Sequence, residues 1–142
     1  KAGEKVNIMT ISCGALGFTW TRPTFTVMIR YSRYTHVLME RAESFAVSFP
    51  LKGQMKNELN ICGTTSGRDT DKAKVCKLSL KTGYLSGTMV VDNCDLHLEC
   101  KIIYKYPVDK YRLDKVIAES VYKDTDYHVF YIGEIVKAYI KE

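Results

Sequence analysis

Apolar and polar residues alternate along much of the chain with the two-residue period of a β-strand. This alternation predicts strands at residues 7–12, 24–29, 44–49, 89–91, 96–104 and 127–140. Gly14 and Gly17 predict a turn after the first strand. Pro23 precedes the second strand and Pro50 follows the third, as expected for a residue without a backbone N–H. Gly133 interrupts the last strand and predicts a bend or a bulge there.

The spacing of apolar residues changes to that of a helix after the second strand. It predicts short helices at residues 34–42, 54–61, 70–76 and 114–120, with Ser32 as the N-cap of the first. Many strands with a few short helices predict a mainly β fold. We expect a closed barrel with helical insertions, because closure removes the unpaired edges of a sheet.

The composition indicates one globular domain, residues 1–142, rather than a disordered or membrane protein, because 46% of the residues are hydrophobic and 26% are charged. No apolar run approaches the roughly 18 residues that span a bilayer, so no membrane association is expected. The first residues have no apolar signal-peptide core and no initiator Met, so we expect the natural N-terminus to lie outside this sequence.

The net charge of +5 comes from basic residues that are spread along the chain among acidic ones, which disfavours a nucleic-acid surface. The five cysteines are odd in number and contain no Cys-x-x-Cys pair, which disfavours a disulfide framework or a zinc knuckle. We expect most of them to be small buried hydrophobes in a reducing, cytoplasmic compartment.

The segment from residue 30 to residue 35 joins a predicted strand to a predicted helix and is rich in anion-binding groups. A helix N-terminus offers free backbone N–H groups, Ser32 and Thr35 add hydroxyls, and Arg33 adds a guanidinium. An ordinary capped helix with solvated arginines explains the same residues. The segment alone therefore leaves both interpretations open.

A second polar segment, residues 66–72, precedes the predicted helix at 70–76. Asp69 or Thr70 can cap that helix, and Lys72 falls in its first turn, where a cation is unfavourable unless an anion balances it. That anion can be a ligand, or Lys72 can pair with Asp69 or another acidic residue. The Gly-Lys-Ser/Thr ending of a Walker loop is absent.

His128 begins the last predicted strand and is interpreted either as a site residue or as a packed core histidine. His36 and His97 are isolated, and the three histidines share no metal-ligand spacing. The sequence also lacks the Gly-x-Ser-x-Gly and Gly-x-Gly-x-x-Gly motifs of serine hydrolases and Rossmann domains.

Five short motifs together carry a family resemblance over nearly the whole chain. They are Asn7-Ile8-Met9-Thr10-Ile11-Ser12, Arg30-x-Ser32-Arg33-Tyr34-Thr35, Cys62-Gly63 with Ser66-Gly67-Arg68-Asp69-x-Asp71-Lys72, Leu98-Glu99-Cys100, and Tyr127-His128 leading to Tyr131-Ile132-Gly133-Glu134-Ile135. Each motif is weak alone, but five in this order resemble the flavin reductase-like family, the FMN-binding split barrels that include flavoredoxin.

This resemblance implies a six-stranded antiparallel Greek-key split β-barrel with short helical insertions, and a two-fold homodimer with FMN near the interface. The implied cofactor-binding residues are Asn7, Thr10, Ile11, Ser12, Cys13, Arg30, Ser32, Arg33, Tyr34, Thr35, Ser66, Arg68 and Lys72. Among them, Asn7, Thr10 and Ser12 would line the isoalloxazine edge, and Ser32, Arg33, Thr35 and Lys72 would hold the phosphate. His128 would approach the flavin or the nicotinamide.

Two departures from the family pattern concern the same region. Cys13 stands where many relatives carry Trp, and we expect it to pack rather than to react, because a thiol near its ordinary pKa is mostly protonated at neutral pH. Relatives also have a strand upstream of Asn7 that is absent or truncated in this sequence.

The function implied by the resemblance is transfer of a hydride from NADH or NADPH to bound flavin, chemistry that flavin itself supplies. Tightly held FMN would be a prosthetic group, whereas exchanging FMN would be a substrate passed to a partner oxygenase. The alternatives are a flavoredoxin-like carrier that accepts electrons from a protein, and a basic binding module without redox activity.

Overall fold

The structure is a computed structural model that describes residues 1–141. In this range there are seven strands: β1 (Gly14–Thr19), β2 (Arg22–Arg30), β3 (Ser44–Phe49), β4 (Leu80–Thr82), β5 (Met89–Val91), β6 (Leu96–Pro107) and β7 (His128–Ile140). The four helices of the same range are α1 (Tyr34–Met39), α2 (Lys56–Thr64), α3 (Lys72–Val75) and α4 (Lys115–Val121). The predicted mainly β fold is confirmed, with seven strands in place of six. None of the helices within residues 1–141 has the length and apolar character needed to cross a bilayer.

The main sheet is antiparallel and has the order β1-β2-β7-β6-β3, while β4 and β5 form a separate two-stranded sheet. β7 lies between β2 and β6 and pairs with both. Its first residue, His128, lies opposite Arg30 at the end of β2. This register brings two predicted site residues to one end of the sheet.

The core lies on one face of this sheet, where alternate residues of β2, β3 and β7 are buried. It consists chiefly of Phe25, Val27 and Ile29 of β2, Phe45 and Val47 of β3, Leu98 and Cys100 of β6, and Val129 and Tyr131 of β7. Gly133 continues the buried face of β7, and a Cβ there would lie 2.6 Å from Cys100 Cβ and 2.7 Å from the Phe45 ring. Glycine is therefore required at residue 133 for close packing, and the two register shifts between β6 and β7 lie on either side of it.

The prediction of a strand at residues 7–12 is wrong, because these residues form no strand. The region where a turn was predicted, at Gly14 and Gly17, is strand β1. Residues 7–12 are irregular because their polar side chains bond to other elements: Asn7 donates to Thr35 and Thr10 to the Leu59 carbonyl. β1 was missed because it is glycine-rich and mostly exposed, so it shows no alternating burial. It joins β2 through Trp20 and Thr21, which both adopt positive φ, as a tight hairpin turn requires.

The predicted helices exist, but their bounds differ. α1 ends at Met39. Its N-cap is Arg33, which makes no side-chain capping bond, so the prediction of Ser32 as the N-cap is wrong. α3 is a single turn capped by Asp71, whose carboxylate accepts from the Lys74 N–H at 3.1 Å. Strand β4 was not predicted.

All five cysteines are free, and Cys62, Cys94 and Cys100 are buried, as expected for small hydrophobes.

Glu99 is the most completely satisfied acid of the described chain and ties β6 to the turn between β4 and β5. Its carboxylate accepts from the Tyr84 N–H (3.0 Å), the Leu85 N–H (2.7 Å), the Thr88 hydroxyl (2.6 Å) and the Tyr139 hydroxyl (3.0 Å). Burial alone raises the pKa of this carboxyl, but the four donors favour the ionised form more strongly and the pKa is lowered.

We predict that Glu99→Gln destabilises the chain by about 1–3 kcal/mol at pH 7, because an amide offers one acceptor oxygen to four donors. A carboxyl with a lowered folded-state pKa contributes stability above its unfolded pKa of about 4.3, and this contribution is lost as pH falls through the folded value. Urea unfolding at several pH values should show the difference between the native chain and the variant shrinking below about pH 4. The exposed Glu119→Gln is the control, and a pH-independent difference for Glu99→Gln would contradict this assignment.

Candidate functional site

A small polar cavity of about 150 Å³ opens where the segment before β1, the start of α1 and the loop between α2 and α3 meet. We call it the cradle. Its fourteen lining residues are Asn7, Met9, Ser32, Arg33, Tyr34, Thr35, Cys62, Gly63, Thr64, Thr65, Ser66, Gly67, Arg68 and Lys72. The two polar segments for which the sequence left anion binding open therefore line one cavity.

The two sides of the cradle are held together by Asn7. Its amide Nδ2 donates to the Thr35 hydroxyl oxygen at 2.8 Å. On the other side it contacts the backbone at Gly67, where a Cβ would collide with the Asn7 amide and lie 3.3 Å from the Tyr34 ring. Gly67 is thus required for the close approach of the loop to Asn7.

The cradle is rich in cations and contains no acidic residue among the side chains that line it within residues 1–141. Arg33 is exposed, and its guanidinium makes no hydrogen bond or ion pair to the described chain. Arg68 lies over the Tyr34 ring, 5.4 Å from its centroid, and makes a long contact of 3.4 Å to the Ser32 carbonyl. Both guanidinium groups keep most of their N–H donors available for an anion.

Lys72 is buried in the floor of the cradle, with only 5% of its surface exposed. Its ammonium donates to the Cys62 carbonyl at 3.1 Å and the Thr65 carbonyl at 3.3 Å, at the C-terminus of α2. A cation at this end of a helix is favourable, so the carbonyls take the place of an acidic partner, for which Asp69 was one of the open alternatives. Burial lowers the pKa of Lys72. An ammonium has three donors, and the two carbonyls use two of them.

Arg30 organises a second cluster beside the cradle. Its guanidinium donates to both carboxylate oxygens of Asp124 (3.0 and 3.1 Å), to the Asp126 carbonyl (3.0 Å) and to the Val121 carbonyl (2.8 Å). Ser32 joins the two sites, because its hydroxyl donates to the Asp126 carboxylate at 2.5 Å and its backbone N–H donates to the same group. Arg30 therefore fixes the segment before β7. Ser32 lines the cradle, but its hydroxyl already donates to Asp126 and so cannot donate to a ligand.

His128 belongs to the Arg30 cluster. Its Nδ1 lies 2.7 Å from the hydroxyl of Tyr122, a buried residue that follows α4. Burial, and then the nearby positive charge of Arg30, lower the pKa of His128 and so favour the neutral imidazole.

The predicted cofactor-binding residues thus fall into several places. Eight line the cradle: Asn7, Ser32, Arg33, Tyr34, Thr35, Ser66, Arg68 and Lys72. Thr10 and Ile11 border a larger, mainly apolar cavity of about 310 Å³, Ser12 and Cys13 are exposed, and Arg30 lies in its own cluster with His128.

Sequence reasoning missed Tyr122, Asp124 and Asp126, because no local motif marks residues that become important only through partners about ninety positions earlier in the chain. It also missed Thr64 and Thr65 of the cradle wall. No group of three His, Cys, Asp or Glu residues in the described chain is arranged to hold a metal ion.

Comparison with known proteins identifies the family. The whole chain, residues 1–142, matches the model of the flavin reductase like domain. The chain therefore belongs to the flavin reductase-like family, which includes NADH:FAD oxidoreductases and flavoredoxins.

Individual proteins resemble this chain in sequence or in structure. An uncharacterized protein of Archaeoglobus fulgidus is 25% identical over 133 residues, which cover 94% of this chain and 64% of the relative. The flavoredoxin of Methanosarcina acetivorans superposes with a TM-score of 0.76 at 25% identity, covering 100% of this chain and 65% of that one. The NADH:FAD oxidoreductase of Streptomyces globisporus in complex with NAD and FAD fragments gives 0.71 at 19% identity, covering 99% and 70%. The chain thus spans somewhat less than two thirds of the first two relatives.

The residues of the cradle fit the phosphate end of FMN. The donor set consists of two guanidinium groups, one ammonium N–H and the hydroxyls of Thr35 and Ser66, and no carboxylate opposes them. A volume of about 150 Å³ suits a phosphate and part of its chain rather than a whole flavin. The ring would therefore lie outside the cradle.

We predict that Arg30→Lys destabilises the chain by about 1–3 kcal/mol, because one ammonium cannot replace a guanidinium that bonds to a carboxylate and two carbonyls. Trypsin should also cut faster after Lys123, since the segment before β7 loses its anchor. Arg22→Lys is the matched control: its ion pair with Glu134 is half exposed and should change stability by less than about 0.5 kcal/mol. Equal effects of the two substitutions would contradict the anchoring role.

Proposed function

We propose that the cradle binds the phosphate of FMN and that this domain is an FMN-dependent oxidoreductase that transfers a hydride from NADH or NADPH to flavin. The observation that carries this proposal is the acid-free cradle, in which Arg33 and Arg68 lie beside the buried ammonium of Lys72. Such a concentration of unpaired positive charge costs free energy unless an anion fills it.

The side chains of the cradle suit a phosphate dianion. Arg33 and Arg68 can each supply charge-assisted hydrogen bonds, worth about 1.5–3 kcal/mol apiece. Thr35 accepts from Asn7 and Ser66 accepts from the Arg68 N–H, so both hydroxyl protons remain free to donate to the ligand. α1 has only six residues, so these side chains, rather than its dipole, supply most of the affinity.

When bound, the isoalloxazine ring of FMN supplies the hydride chemistry. Asn7, Thr10 and Ser12 would hold this ring, and these neutral groups need not exchange protons with it. Cys13, which is exposed in this structure, would pack against the ring rather than react with it. The lowered pKa of His128 favours a neutral imidazole, which adds no positive charge beside a nicotinamide ring that becomes positive when it loses a hydride.

We expect Arg33→Ala to weaken FMN binding about tenfold or more, equivalent to about 1.4 kcal/mol, because it removes an exposed phosphate contact and no internal bond. Riboflavin, which has no phosphate, should bind much more weakly than FMN and equally to both chains. Fluorescence quenching of each flavin measures these affinities, with Arg112→Ala as the control at a remote exposed arginine. Equal affinity of the native chain for FMN and riboflavin would remove the phosphate assignment, and no affinity for either would favour a binding module without redox activity.

The second candidate is an electron carrier that accepts electrons from a protein. The TM-score of 0.76 with a flavoredoxin supports this alternative. Both candidates use the same cradle, so the electron donor must separate them.

Anaerobic absorbance with FMN and either NADH or NADPH distinguishes the two candidates. A reductase bleaches the flavin band and consumes nicotinamide at 340 nm, and with air or added FMN it does so repeatedly. A carrier does not oxidise NADH or NADPH. When its bound FMN has been reduced chemically, it passes the electrons to an acceptor protein. Repeated oxidation of NADH or NADPH would rule out a pure carrier. No oxidation of either nucleotide would rule out the reductase.

We further propose that the domain works as a two-fold homodimer in the cytoplasm, with an oxygenase or an electron-transfer protein as its partner. The free thiols support a reducing compartment. β1 supports the dimer, because Leu16 lies opposite the core residue Phe25 and shares its face, yet Leu16 and Phe18 are 71% and 73% exposed. A second copy covering this strand would remove that apolar surface from water.

Light scattering at micromolar concentration should therefore give twice the chain mass. Phe18→Glu should give a monomer, because it places a charge at the proposed contact, whereas Tyr111→Glu at another fully exposed aromatic should leave the dimer intact. A monomer that still binds FMN tightly would contradict a site shared between subunits.

A further inference from the structure

Asp126, in the segment before β7, is bonded directly to a residue of the cradle. Its two carboxylate oxygens have different partners: Oδ1 accepts from the Ser32 backbone N–H at 3.1 Å, and Oδ2 accepts from the Ser32 hydroxyl at 2.5 Å. An ionised carboxylate has no proton to donate, so the hydroxyl must be the donor in the shorter contact. Asp126 therefore occupies the only hydroxyl proton of Ser32.

The negative charge of Asp126 lacks the arginine partner of its neighbour Asp124. Arg30 donates to both oxygens of the Asp124 carboxylate, but from Asp126 it contacts only the backbone carbonyl. The charge of Asp126 lies beside Ser32, whose own carbonyl is contacted by the Arg68 guanidinium at 3.4 Å. A carboxylate at this position weakens the positive potential that attracts an anion to the cradle.

Two other hydroxyls of the cradle show what Ser32 lacks. The Thr35 hydroxyl accepts from Asn7, and the Ser66 hydroxyl accepts from the Arg68 N–H, so each keeps its proton for a ligand. Ser32 lines the same cavity but has no proton to offer. The difference between these hydroxyls comes from the carboxylate of Asp126.

We propose that Asp126 is a specificity-determining residue that limits the affinity of the cradle for phosphate. It does so by occupying the Ser32 hydroxyl and by placing a negative charge behind it. Asp126 thereby reduces the preference for FMN over riboflavin and keeps FMN exchangeable. Its effect on flavin rests on the proposed function, whereas its effect on small anions does not.

Asp126→Asn tests this proposal because an amide has the shape of the carboxylate but only one acceptor oxygen. With that oxygen at the Oδ1 position, the Ser32 N–H keeps its partner and the amide NH₂ lies against the Ser32 hydroxyl oxygen. The amide then donates, and the hydroxyl proton is released for a ligand. The same substitution removes the charge. A gain of affinity is therefore expected, which a purely structural role of Asp126 would not produce.

The Kd of Asp126→Asn for FMN should fall about fivefold or more, because the phosphate gains a hydrogen bond and loses a repulsive charge. The Kd for riboflavin should stay unchanged, and the dissociation rate of FMN should fall with its Kd. Fluorescence quenching measures the affinities, and stopped-flow fluorescence measures the dissociation. Asp124→Asn is the matched control, since its carboxylate does not bond to Ser32, and its Kd for FMN should stay within about twofold of the native value.

A Ser32→Ala background separates the hydroxyl proton from the charge. Without the hydroxyl, Asp126→Asn can change only the electrostatic potential, so its gain in FMN affinity should shrink to about twofold. An equal gain in both backgrounds would overturn the role of the hydroxyl. An equal gain from Asp124→Asn and Asp126→Asn would overturn the specific role of Asp126.

Thermal unfolding with inorganic phosphate provides a test without flavin. Phosphate should raise the Tm of Asp126→Asn more than that of the native chain, compared with sodium chloride at the same ionic strength. Asp126→Ala provides the same comparison if the amide is not tolerated, because the exposed Ser32 can then bond to water.

The two arms distinguish failure of this proposal from failure of the proposed function. A larger phosphate effect in the variant, with no FMN binding by either chain, would support Asp126 and reject the flavin assignment. FMN binding by the native chain with an unchanged or higher Kd in Asp126→Asn would overturn the role of Asp126 and leave the flavin assignment in place.

Discussion

The pairing of β7 with both β2 and β6 is the constraint on which the arrangement of this protein depends. β7 lies in the middle of the sheet, so its register fixes which face of three strands is buried, and a slip by one residue would turn Tyr131 and Val129 toward solvent. The absence of a side chain at Gly133 lets β6 and β3 close against the same face. The same register sets His128 opposite Arg30, at the end of the sheet from which the chain enters the cradle.

The charges near that end are separated by sign. Arg30 donates to the Asp124 carboxylate, and Ser32 donates to the Asp126 carboxylate. Both carboxylates are therefore bonded outside the cradle. On the other side, Arg33 and Arg68 have no acidic partner among residues 1–141. Arg30, which resembles a cofactor ligand in sequence, acts in the structure as the residue that leaves the other two arginines available for an anion.

Much of the fold could be predicted from the sequence, because burial on one face of a strand leaves a two-residue pattern. This holds for β2, β3, β6 and β7, whose inner faces are apolar. It fails for residues 7–12, where alternation is present but the side chains bond to α1 and α2, and for β1, whose exposed residues carry no pattern. The two halves of the cradle could be found as separate polar segments, and the family resemblance predicted that they meet. The burial of Lys72 under helix carbonyls could not be predicted from the sequence, since it depends on how α2 and α3 pack.

Because the Lys72 ammonium is bonded to carbonyl oxygens rather than to a carboxylate, no acidic side chain within residues 1–141 serves as a counter-ion in the cradle. Any small anion that enters it binds the folded chain and not the unfolded one, and therefore shifts the folding equilibrium by mass action. Under the proposed function, sulfate and inorganic phosphate in a buffer would act as weak competitors of FMN and as stabilisers of the protein at the same time. The choice of buffer salt would then change both the apparent affinity for FMN and the apparent melting temperature of this domain.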